Sequence, residues 1–517
     1  MRAVLLSLAL GASTIGPALL PGGCPLPGSP GLIGLLDSTP FPRRAHPRPP
    51  APHPPSPVAG GGCGEPRALL SGIHCSLPRN EAQTATGPGD AGARKQRGSS
   101  GGTQRGAAVH LTQLAGGARV VVLEDRRSPL AAIDLWVGAG SAREQPEERG
   151  AAHFLEHMVF KGTPERGPGA LDSAFEDTGA VLSAATTRDG IHFHSTVPAR
   201  YAAELIAVLC DAVARPALDP AETERERRVI LDELARQGSD WRRATLDALF
   251  ASAWSGHPYA SPVAGTARDV LALRREALAA FHGREFRAER AVLVVAGALP
   301  SEEVRAAAER AFEAWPARQS PGDSARSAAS GVRTVPAAGG GGVATPAGTV
   351  GLGFAVRQAD AQTRATAEVA AALLGDARGG RLPRLLRGLA DPEQTAVEWS
   401  PLREGGLYSL AVRVAPARSG EALKRLESAV AGLAAAPPSP AEVDYARRRV
   451  LGSWLFETET LGGVAKRLGE AAISGRLEDE LTFRRAIERV TPEDVQAFAR
   501  ERLRPDSAVR TGAGGDS

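Results

Sequence analysis

Two histidines and a glutamate stand close together at His153, Glu156 and His157. On a helix, a spacing of four residues puts both imidazoles on one face, about one turn apart. Both rings could then grip one metal ion, and Glu156 would project beside that ion, where a carboxylate can take a proton from water. Neutral imidazole and carboxylate ligands with one open position suit Zn²⁺. The order HxxEH is the inverted zinc motif.

Such a site needs a third ligand from another element. The best candidate is Glu233, on a helix predicted to begin at Asp219. Glu226 lies seven residues earlier on the same helix face, where it could orient a histidine. The alternative is a surface helix that carries HxxEH without a metal, since a chance match has a probability of roughly one or two in a hundred.

A second pair of histidines, His192 and His194, alternates along a predicted strand. Side chains two residues apart on a strand point to the same face. Two interpretations are open: a second metal pair, or the half-exposed face of a strand, and the second is favoured.

The composition excludes some functions. The chain has 517 residues, which favours two or three domains, and 43% of them are hydrophobic. A formal net charge of only +3 does not indicate the basic surface that is typical of nucleic-acid binding. The four cysteines have no zinc-cluster spacing, and Cys210 ends an apolar helical run, which predicts a buried thiol.

The sequence divides into five segments. Residues 1–20 pair Arg2 with an apolar run and are either a secretory signal or an N-terminal extension. A signal implies a periplasmic or secreted protein; an extension implies a cytoplasmic one. No other run is long enough for an integral membrane span. The rest is predicted as a disordered Pro/Gly-rich region at 21–106, a domain at 107–315, a Gly/Pro-rich linker at 316–347 and a second domain at 348–514.

The second domain is predicted to repeat the first. Asp219 is followed by Pro220 and Glu222, and Ser439 is followed in the same way by Pro440 and Glu442. These two helix starts lie 220 residues apart. This pattern predicts a duplicated α+β fold of mixed and antiparallel sheets with helices packed on them. The second half has no histidine, and Trp454 falls where Glu233 would be, so at most one repeat holds a metal.

The surroundings of HxxEH resemble a known family. The segments Val137-Gly138-Ala139-Gly140-Ser141, Gly150-Ala151-Ala152-His153-Phe154-Leu155-Glu156-His157-Met158-Val159-Phe160-Lys161-Gly162-Thr163 and Glu224-Arg225-Glu226-Arg227-Arg228-Val229-Ile230-Leu231-Asp232-Glu233 are similar to motifs of the pitrilysin/insulinase family. The resemblance is to its processing-peptidase branch, β-subunit type. It covers about 109–514.

The resemblance implies roles for the residues already singled out. His153, His157 and Glu233 match the family's zinc ligands, with the third ligand 76 residues after the second histidine as the family has it. Glu156 matches its general base and Glu226 its supporting carboxylate. It also implies one zinc per chain and two related domains that enclose a clamshell chamber.

The resemblance also implies a way to hold substrate. In the family a peptide adds a strand to a sheet edge, which 179–186 matches here, with Ser183-Ala184 at a substrate-binding position where Asn-Ala is usual. Arg387 matches an arginine that helps to hold the substrate and stabilise the oxyanion. Its usual tyrosine partner is replaced by Gln394.

These observations predict a zinc-dependent endopeptidase in which zinc-bound water attacks a peptide and Glu156 is the general base. The chain could form a homodimer or a heterodimer with a zinc-free homologous chain. Two alternatives remain: this chain is a zinc-bearing subunit that is active only with that zinc-free chain, or it is a non-catalytic structural subunit of the same fold.

Overall fold

The computed structural model describes residues 108–313, 315 and 345–512. The predicted signal segment, the Pro/Gly-rich region and nearly all of the predicted linker lie outside these residues. The last two residues of the predicted second domain, 513 and 514, lie outside them as well.

The first half forms a six-stranded sheet in the order β1-β2-β6-β3-β5-β4. Neighbouring strands are antiparallel except β2 and β6, which are parallel. Nearly continuous apolar runs give the sheet two buried faces, as in β3, where seven of eight residues are buried. The strands are β1 (Val109–Gln113), β2 (Arg119–Glu124), β3 (Leu130–Val137), β4 (Ser183–Thr186), β5 (Ile191–Pro198) and β6 (Ala291–Gly297).

Among the described residues, eight α-helices accompany this sheet. Most pack on one of its faces and form the first hydrophobic core, which includes the buried Cys210 as predicted. The helices are α1 (Ala151–Val159), α2 (Ala170–Glu176), α3 (Ala202–Ala214), α4 (Pro220–Gln237), α5 (Trp241–Ala253), α6 (Ala267–Ala272), α7 (Arg275–Glu285) and α8 (Ser301–Phe312).

The second half forms a four-stranded antiparallel sheet in the order β10-β7-β9-β8. A second hydrophobic core lies between this sheet and its own helices. Its strands are β7 (Thr349–Arg357), β8 (Thr395–Leu402), β9 (Gly405–Arg413) and β10 (Val509–Thr511). Its helices are α9 (Ala361–Gly375), α10 (Arg381–Leu385), α11 (Ser419–Ala435), α12 (Pro440–Glu457), α13 (Leu461–Ile473), α14 (Leu477–Arg489) and α15 (Pro492–Arg502).

The two halves share one topology, which confirms the predicted pair of related α+β domains. The order β10-β7-β9-β8 repeats β6-β3-β5-β4, and β1 and β2 extend the first sheet beyond it. The helices α4 and α12, both of 18 residues, begin as predicted: the Asp219 side chain accepts from the backbone N–H of Ala221 and Glu222, and Ser439 forms a capping box with Glu442.

Each sheet is covered on its other face by a helix of the opposite half. Helix α13 packs on β3 and β6 of the first sheet, while the corresponding helix α5 packs on β7, β9 and β10 of the second. Two small apolar clusters fill these contacts, one around Trp136 and Leu468 and the other around Leu249 and Leu407. The exchange buries both faces of both sheets, so the two halves depend on each other for stability.

The contact of α13 with the first sheet makes a testable prediction at Gly469. A Cβ at this position would stand 2.1 Å from Nε1 of the buried Trp136. We expect Gly469→Ala to destabilise the protein by roughly 1–3 kcal/mol through overpacking, although alanine is the better helix former.

The matched control is Gly462→Ala on the same helix, where the nearest atom to an added Cβ is Thr196 Oγ1 at 3.5 Å, an ordinary contact. This variant should keep or slightly raise stability. Urea unfolding followed by tryptophan fluorescence measures both. Equal stability of the two variants would show that α13 does not pack closely against β3.

None of the helices described here combines the length and the apolar character that crossing a membrane requires.

Candidate metal centre

Helix α1 carries the HxxEH segment and is buried along its whole length. Its start is sharply defined, because Gly150 adopts a φ of 89° and a Cβ there would stand 2.9 Å from Ala264 O. The Glu144 carboxylate accepts hydrogen bonds from the N–H groups of Gly150 (3.0 Å) and Ala152 (2.9 Å). These two bonds satisfy N–H groups at the start of the helix and fix its position.

The structure brings His153 and His157 together with Glu233 of α4. His153 Nε2 lies 3.7 Å from Glu233 Oε1, and His157 Nε2 lies 3.6 Å from Glu233 Oε2. Ligand atoms of all three residues lie within 4.8 Å of one another. Tetrahedral zinc ligands at ordinary bond lengths stand about 3.4 Å apart. The three side chains therefore fit a single zinc ion.

The environment of the two histidines also fits a cation. Among the described residues, neither ring nitrogen of the buried His153 has a hydrogen-bond partner, which is costly for polar atoms that no ligand contacts. Burial and the neighbouring His157 lower the pKa of His153 to about 3, so this imidazole is neutral and able to coordinate. Burial opposes protonation of His157, but the hydrogen bond to Glu226 and the nearby Glu233 carboxylate outweigh it and raise its pKa to about 9. The same carboxylates would stabilise a metal cation.

An outer set of contacts orients these residues. Glu226 Oε2 lies 3.1 Å from His157 Nδ1, and Glu226 Oε1 forms an ion pair with Lys161 Nζ at 2.8 Å. Burial alone would raise the pKa of Glu226, yet its bonds to His157 and Lys161 lower it below the ordinary value. An ionised Glu226 holds Nδ1 and leaves Nε2 directed at Glu233. Gln237 donates to Glu233 Oε1 at 2.6 Å.

Glu156 projects from α1 toward the edge strand β4. Its Oε2 accepts a hydrogen bond from the Thr186 hydroxyl. Burial raises the pKa of the Glu156 carboxyl, which suits a group that must accept a proton and later return it. The arrangement therefore separates the three candidate metal ligands from Glu156, which is held by its own partner.

Ser183 and Ala184 lie on β4, which is the last strand of the first sheet and pairs only with β5 among the strands described. Ser183 is partly exposed and Ala184 is buried. Because β4 also carries Thr186, this strand lies beside Glu156.

Arg387 and Gln394 lie in the second half, far along the chain from His153, His157 and Glu233. Arg387 is exposed just after α10, and its backbone carbonyl accepts from Arg425. Gln394 is partly exposed, and the carbonyl of its neighbour Glu393 accepts from Arg242 of α5. Among the described residues, no hydrogen bond or ion pair joins the Arg387 side chain to the histidines or to Glu233.

His192 and His194 share one face of β5, as the alternation predicts. Their rings stack at 4.8 Å, and His192 also stacks on Trp136 at 4.1 Å. His192 Nδ1 lies 3.1 Å from Asp134 Oδ1, so a carboxylate partners it. Within the described part of the chain, the only three-residue metal cluster is the one at His153, His157 and Glu233. His192 is buried and not half-exposed as the favoured interpretation had it.

Sequence reasoning missed four residues that support the site: Glu144, Lys161, Thr186 and Gln237. Gln237 could have been found, because it lies four residues after Glu233 on the same helix face. Lys161 stands four residues after His157, but α1 ends at Val159, so helical spacing does not predict its contact. Glu144 and Thr186 approach α1 from a loop and a strand, and only the tertiary structure reveals them.

Known protein-family models match both halves of this chain. Residues 119–267 match the family model "Insulinase (Peptidase family M16)", and residues 272–450 match "Peptidase M16 inactive domain". The two models together match more than half of the chain. This chain belongs to peptidase family M16, the insulinase family.

Three relatives illustrate the range. Subunit 1 of the mitochondrial cytochrome b-c1 complex of Bos taurus is 33% identical over 204 residues, which is 40% of this chain and 42% of that protein. The probable mitochondrial-processing peptidase subunit beta of Schizosaccharomyces pombe is also 33% identical over 204 residues, 40% of this chain and 45% of its own. The match thus spans less than half the length of these two relatives. An uncharacterized zinc protease of Mycobacterium leprae is 29% identical over 405 residues, which is 77% of this chain and 90% of that one.

Solved structures agree on the fold. A protease from Helicobacter pylori superposes with a TM-score of 0.67 at 18% identity and covers 78% of this chain and 98% of its own. Pitrilysin gives a TM-score of 0.60 at 20% identity, with coverage of 79% and 45%. At these identities the likeness establishes the fold alone.

Proposed function

We propose that this chain is a zinc-dependent endopeptidase that hydrolyses peptides or unfolded protein segments. The observation that carries the proposal is the buried His153–His157–Glu233 cluster, whose ligand atoms fit one zinc ion, with Glu156 beside it next to strand β4. A set of two histidines and one glutamate is a known ligand set of catalytic zinc and leaves a fourth position open.

The chain's own residues supply the acid–base chemistry. When bound, zinc supplies a Lewis acid that polarises the peptide carbonyl and acidifies a water molecule. Glu156 is placed to accept the proton that the attacking water loses as its oxygen adds to the carbonyl carbon. When the C–N bond breaks, the same carboxyl can return that proton to the leaving amine nitrogen. The Thr186 hydroxyl holds Glu156 in line for both transfers.

The position of β4, the last strand of the first sheet among the strands described, supports an extended peptide as the substrate. An added strand pairs with an edge through backbone hydrogen bonds, and these bonds require an unfolded segment. Ser183 and Ala184 would lie opposite the bound backbone, so replacement of the family's usual Asn by Ser183 alters a side-chain contact and leaves the main-chain pairing intact. The proposal therefore favours peptides and unfolded segments over folded domains.

A quenched-peptide library and metal analysis test the proposal. The purified chain should hold about one zinc per chain, lose turnover on removal of the metal by a chelator, and regain it when zinc is added back. A protein that neither contains zinc nor takes it up would overturn the proposal.

Thr186→Val tests how Glu156 is held. Loss of the hydroxyl should lower turnover by about tenfold, in the range usual for residues that orient a catalytic group, with zinc content unchanged. Thr186→Ser keeps a hydroxyl and is the matched control. If valine and serine turn over peptides equally well, Thr186 does not position the base.

The alternative is that this chain is the zinc-bearing subunit of a pair. Two relatives are named as subunits, and Arg387 is exposed while Gln394 stands where the family has a tyrosine. A donor aimed at a developing oxyanion is often worth about 10²–10³-fold, so an incomplete site should be slow. The mass of the purified chain and the turnover of the native chain and of Gln394→Tyr decide this point. Full turnover by the lone native chain, with no gain from tyrosine, removes the need for a partner.

A non-catalytic structural role is less well supported by the site. Two histidines and three carboxylates are buried together there, at 3–8% exposure. Burying such groups is expensive unless they are paired or bind a metal. A subunit with only a structural role has no physical need for that arrangement.

A further inference from the structure

The turn between β4 and β5 follows directly after Thr186, the residue that holds Glu156. The turn is tight, because the N–H of Thr187 donates to Gly190 O at 2.7 Å and the N–H of Gly190 donates to Thr187 Oγ1 at 3.0 Å. The pairing of β4 with β5 ends beside this turn, at the pair of Thr186 with Ile191. A shift of the turn would therefore carry Thr186 with it.

Asp189, within this turn, reaches the second half of the chain. Its Oδ2 accepts a hydrogen bond from the backbone N–H of Arg403 at 2.7 Å, and Arg403 lies in the short connection between β8 and β9. Its Oδ1 accepts from the Tyr259 hydroxyl at 2.6 Å. Both oxygens of one carboxylate thus hold the turn, and bonds to an ionised acceptor are about twice as strong as neutral ones.

The surroundings of Asp189 match its charge. Tyr259 is buried, and burial together with Asp189 raises the pKa of its hydroxyl, which therefore remains a hydrogen-bond donor. Burial lowers the pKa of Arg143 and of Arg476, and the nearby Asp189 carboxylate opposes that shift. Asp189 thus lies between two cations and a neutral donor.

The neighbouring Arg188 holds the same turn from another side. Its Nε donates to Tyr259 O at 3.0 Å, and its Nη2 donates to Asp247 Oδ1 at 3.1 Å. The guanidinium carbon lies 3.6 Å from the centre of the Phe250 ring. Asp247 and Phe250 belong to α5, which packs on the second sheet. The turn is therefore held by the second half directly and also by the helix that covers the second sheet.

Strand β4 is short enough to depend on such an anchor. It has four residues, and among the strands described it pairs only with β5. Segments with few pairing bonds open locally at a lower free energy than the central strands of a sheet. The position of Thr186 is thus set by a short ladder on one side and by the anchored turn on the other.

We propose that Asp189 is a positioning residue for peptide hydrolysis, through which the second half fixes Thr186 and thereby Glu156. The proposal rests on the proposed function, in which Glu156 is the general base. Among the described residues, no hydrogen bond or ion pair joins Asp189 to Glu156 or to the three candidate ligands, so its effect is indirect. A misplacement of about 1 Å at a reacting group can cost about 10²-fold in rate, so a small movement of this turn matters.

The test is a double-mutant cycle that combines Asp189→Ala with Thr186→Val in the full zinc-loaded chain. Asp189→Ala removes both acceptors, so kcat on a quenched peptide should fall by about tenfold with zinc content unchanged. In the Thr186→Val background the same substitution should cost about twofold at most, because the hydroxyl that Asp189 positions is gone. Asp189→Asn should recover most of the native kcat, since its amide oxygen can accept from the N–H of Arg403 and its amide nitrogen can donate to the Tyr259 oxygen.

Hydrogen exchange of β4 provides a readout that does not depend on turnover. The amides of Ser183–Thr186 should exchange about tenfold faster in Asp189→Ala than in the native chain, with exchange in α8 unchanged. Asp177→Asn changes an exposed residue that precedes β4 and should match the native chain in both measurements. If Asp189→Ala does not fold, Tyr259→Phe, which removes one donor and keeps the ring, replaces it in the cycle with the same loss of additivity expected.

The possible failures are distinguishable. Equal losses of kcat in the two backgrounds would mean that Asp189 only stabilises the fold, and native kcat or native exchange in Asp189→Ala would mean that it does not hold β4. Each of these results overturns the positioning role and leaves the proposed function intact. A zinc-loaded native chain that turns over no peptide overturns the proposed function itself, and the role of Asp189 with it.

Discussion

Replacement of Glu156 by glutamine is expected to lower peptide turnover by about 10²–10⁴-fold, the usual contribution of a general base. Glutamine keeps the shape of the side chain but cannot accept the proton of the attacking water. Glu156 lies outside the set of three ligand atoms that converge on one point, so zinc content should stay near the native value. Turnover on a quenched peptide and metal analysis of the same sample measure both quantities.

The matched control for this variant is Glu147→Gln, which makes the same chemical change at an exposed position of the same segment. It should turn over peptides at the native rate. Native turnover in Glu156→Gln would mean that another group accepts the proton, and loss of zinc would mean that Glu156 belongs to the ligand set. Either result contradicts the role proposed here.

Replacement of Glu233 by glutamine is expected to have an equally large effect on the metal itself. The variant loses the one anionic ligand and leaves two neutral imidazoles with a neutral amide, so zinc affinity should fall by at least about 10²-fold, the upper end of what outer partners of ligands contribute. Turnover should fall with occupancy and recover in part at high zinc concentration. Competition with a fluorescent zinc chelator measures the affinity.

Asp232→Asn is the control for Glu233→Gln, because Asp232 is the neighbouring residue on α4 and is exposed. Its zinc affinity should match that of the native chain. If Glu233→Gln retained zinc as firmly as this control, the third ligand would have to come from another residue. The two largest predictions therefore separate binding from chemistry: one variant keeps the metal and loses the reaction, and the other loses the metal.

The second half has different side chains at the position that corresponds to Glu233. Helix α12 corresponds to α4, and Trp454 lies buried where Glu233 would be expected. Its indole N–H donates to Glu480 at 3.3 Å, and Arg467 binds both Glu480 and Glu457. A partly buried ion-pair network with a tryptophan thus occupies this region.

Much of the candidate site could be predicted from the sequence because its central spacing is local. Four residues separate His153 from His157, and a helix of that spacing places both rings on one face whatever surrounds it. The start of α4 at Pro220 was likewise predicted, since Asp219 and the proline after it favour a helix N-terminus on their own. The duplication was found from two such local patterns that recur about 220 residues apart.

The sequence by itself thus determined the HxxEH helix, the α4 helix that carries Glu226 and Glu233, and the repeated α+β order of elements. Only the tertiary structure decided that Glu144 caps α1, that Thr186 holds Glu156, and that α5 and α13 each cover the sheet of the opposite half. The physical reason is that periodicity and capping depend on neighbours within a few residues. Contacts such as that of Thr186 with Glu156, or of Trp136 with Gly469, depend on how separate elements pack, and spacing along the chain carries no record of that packing.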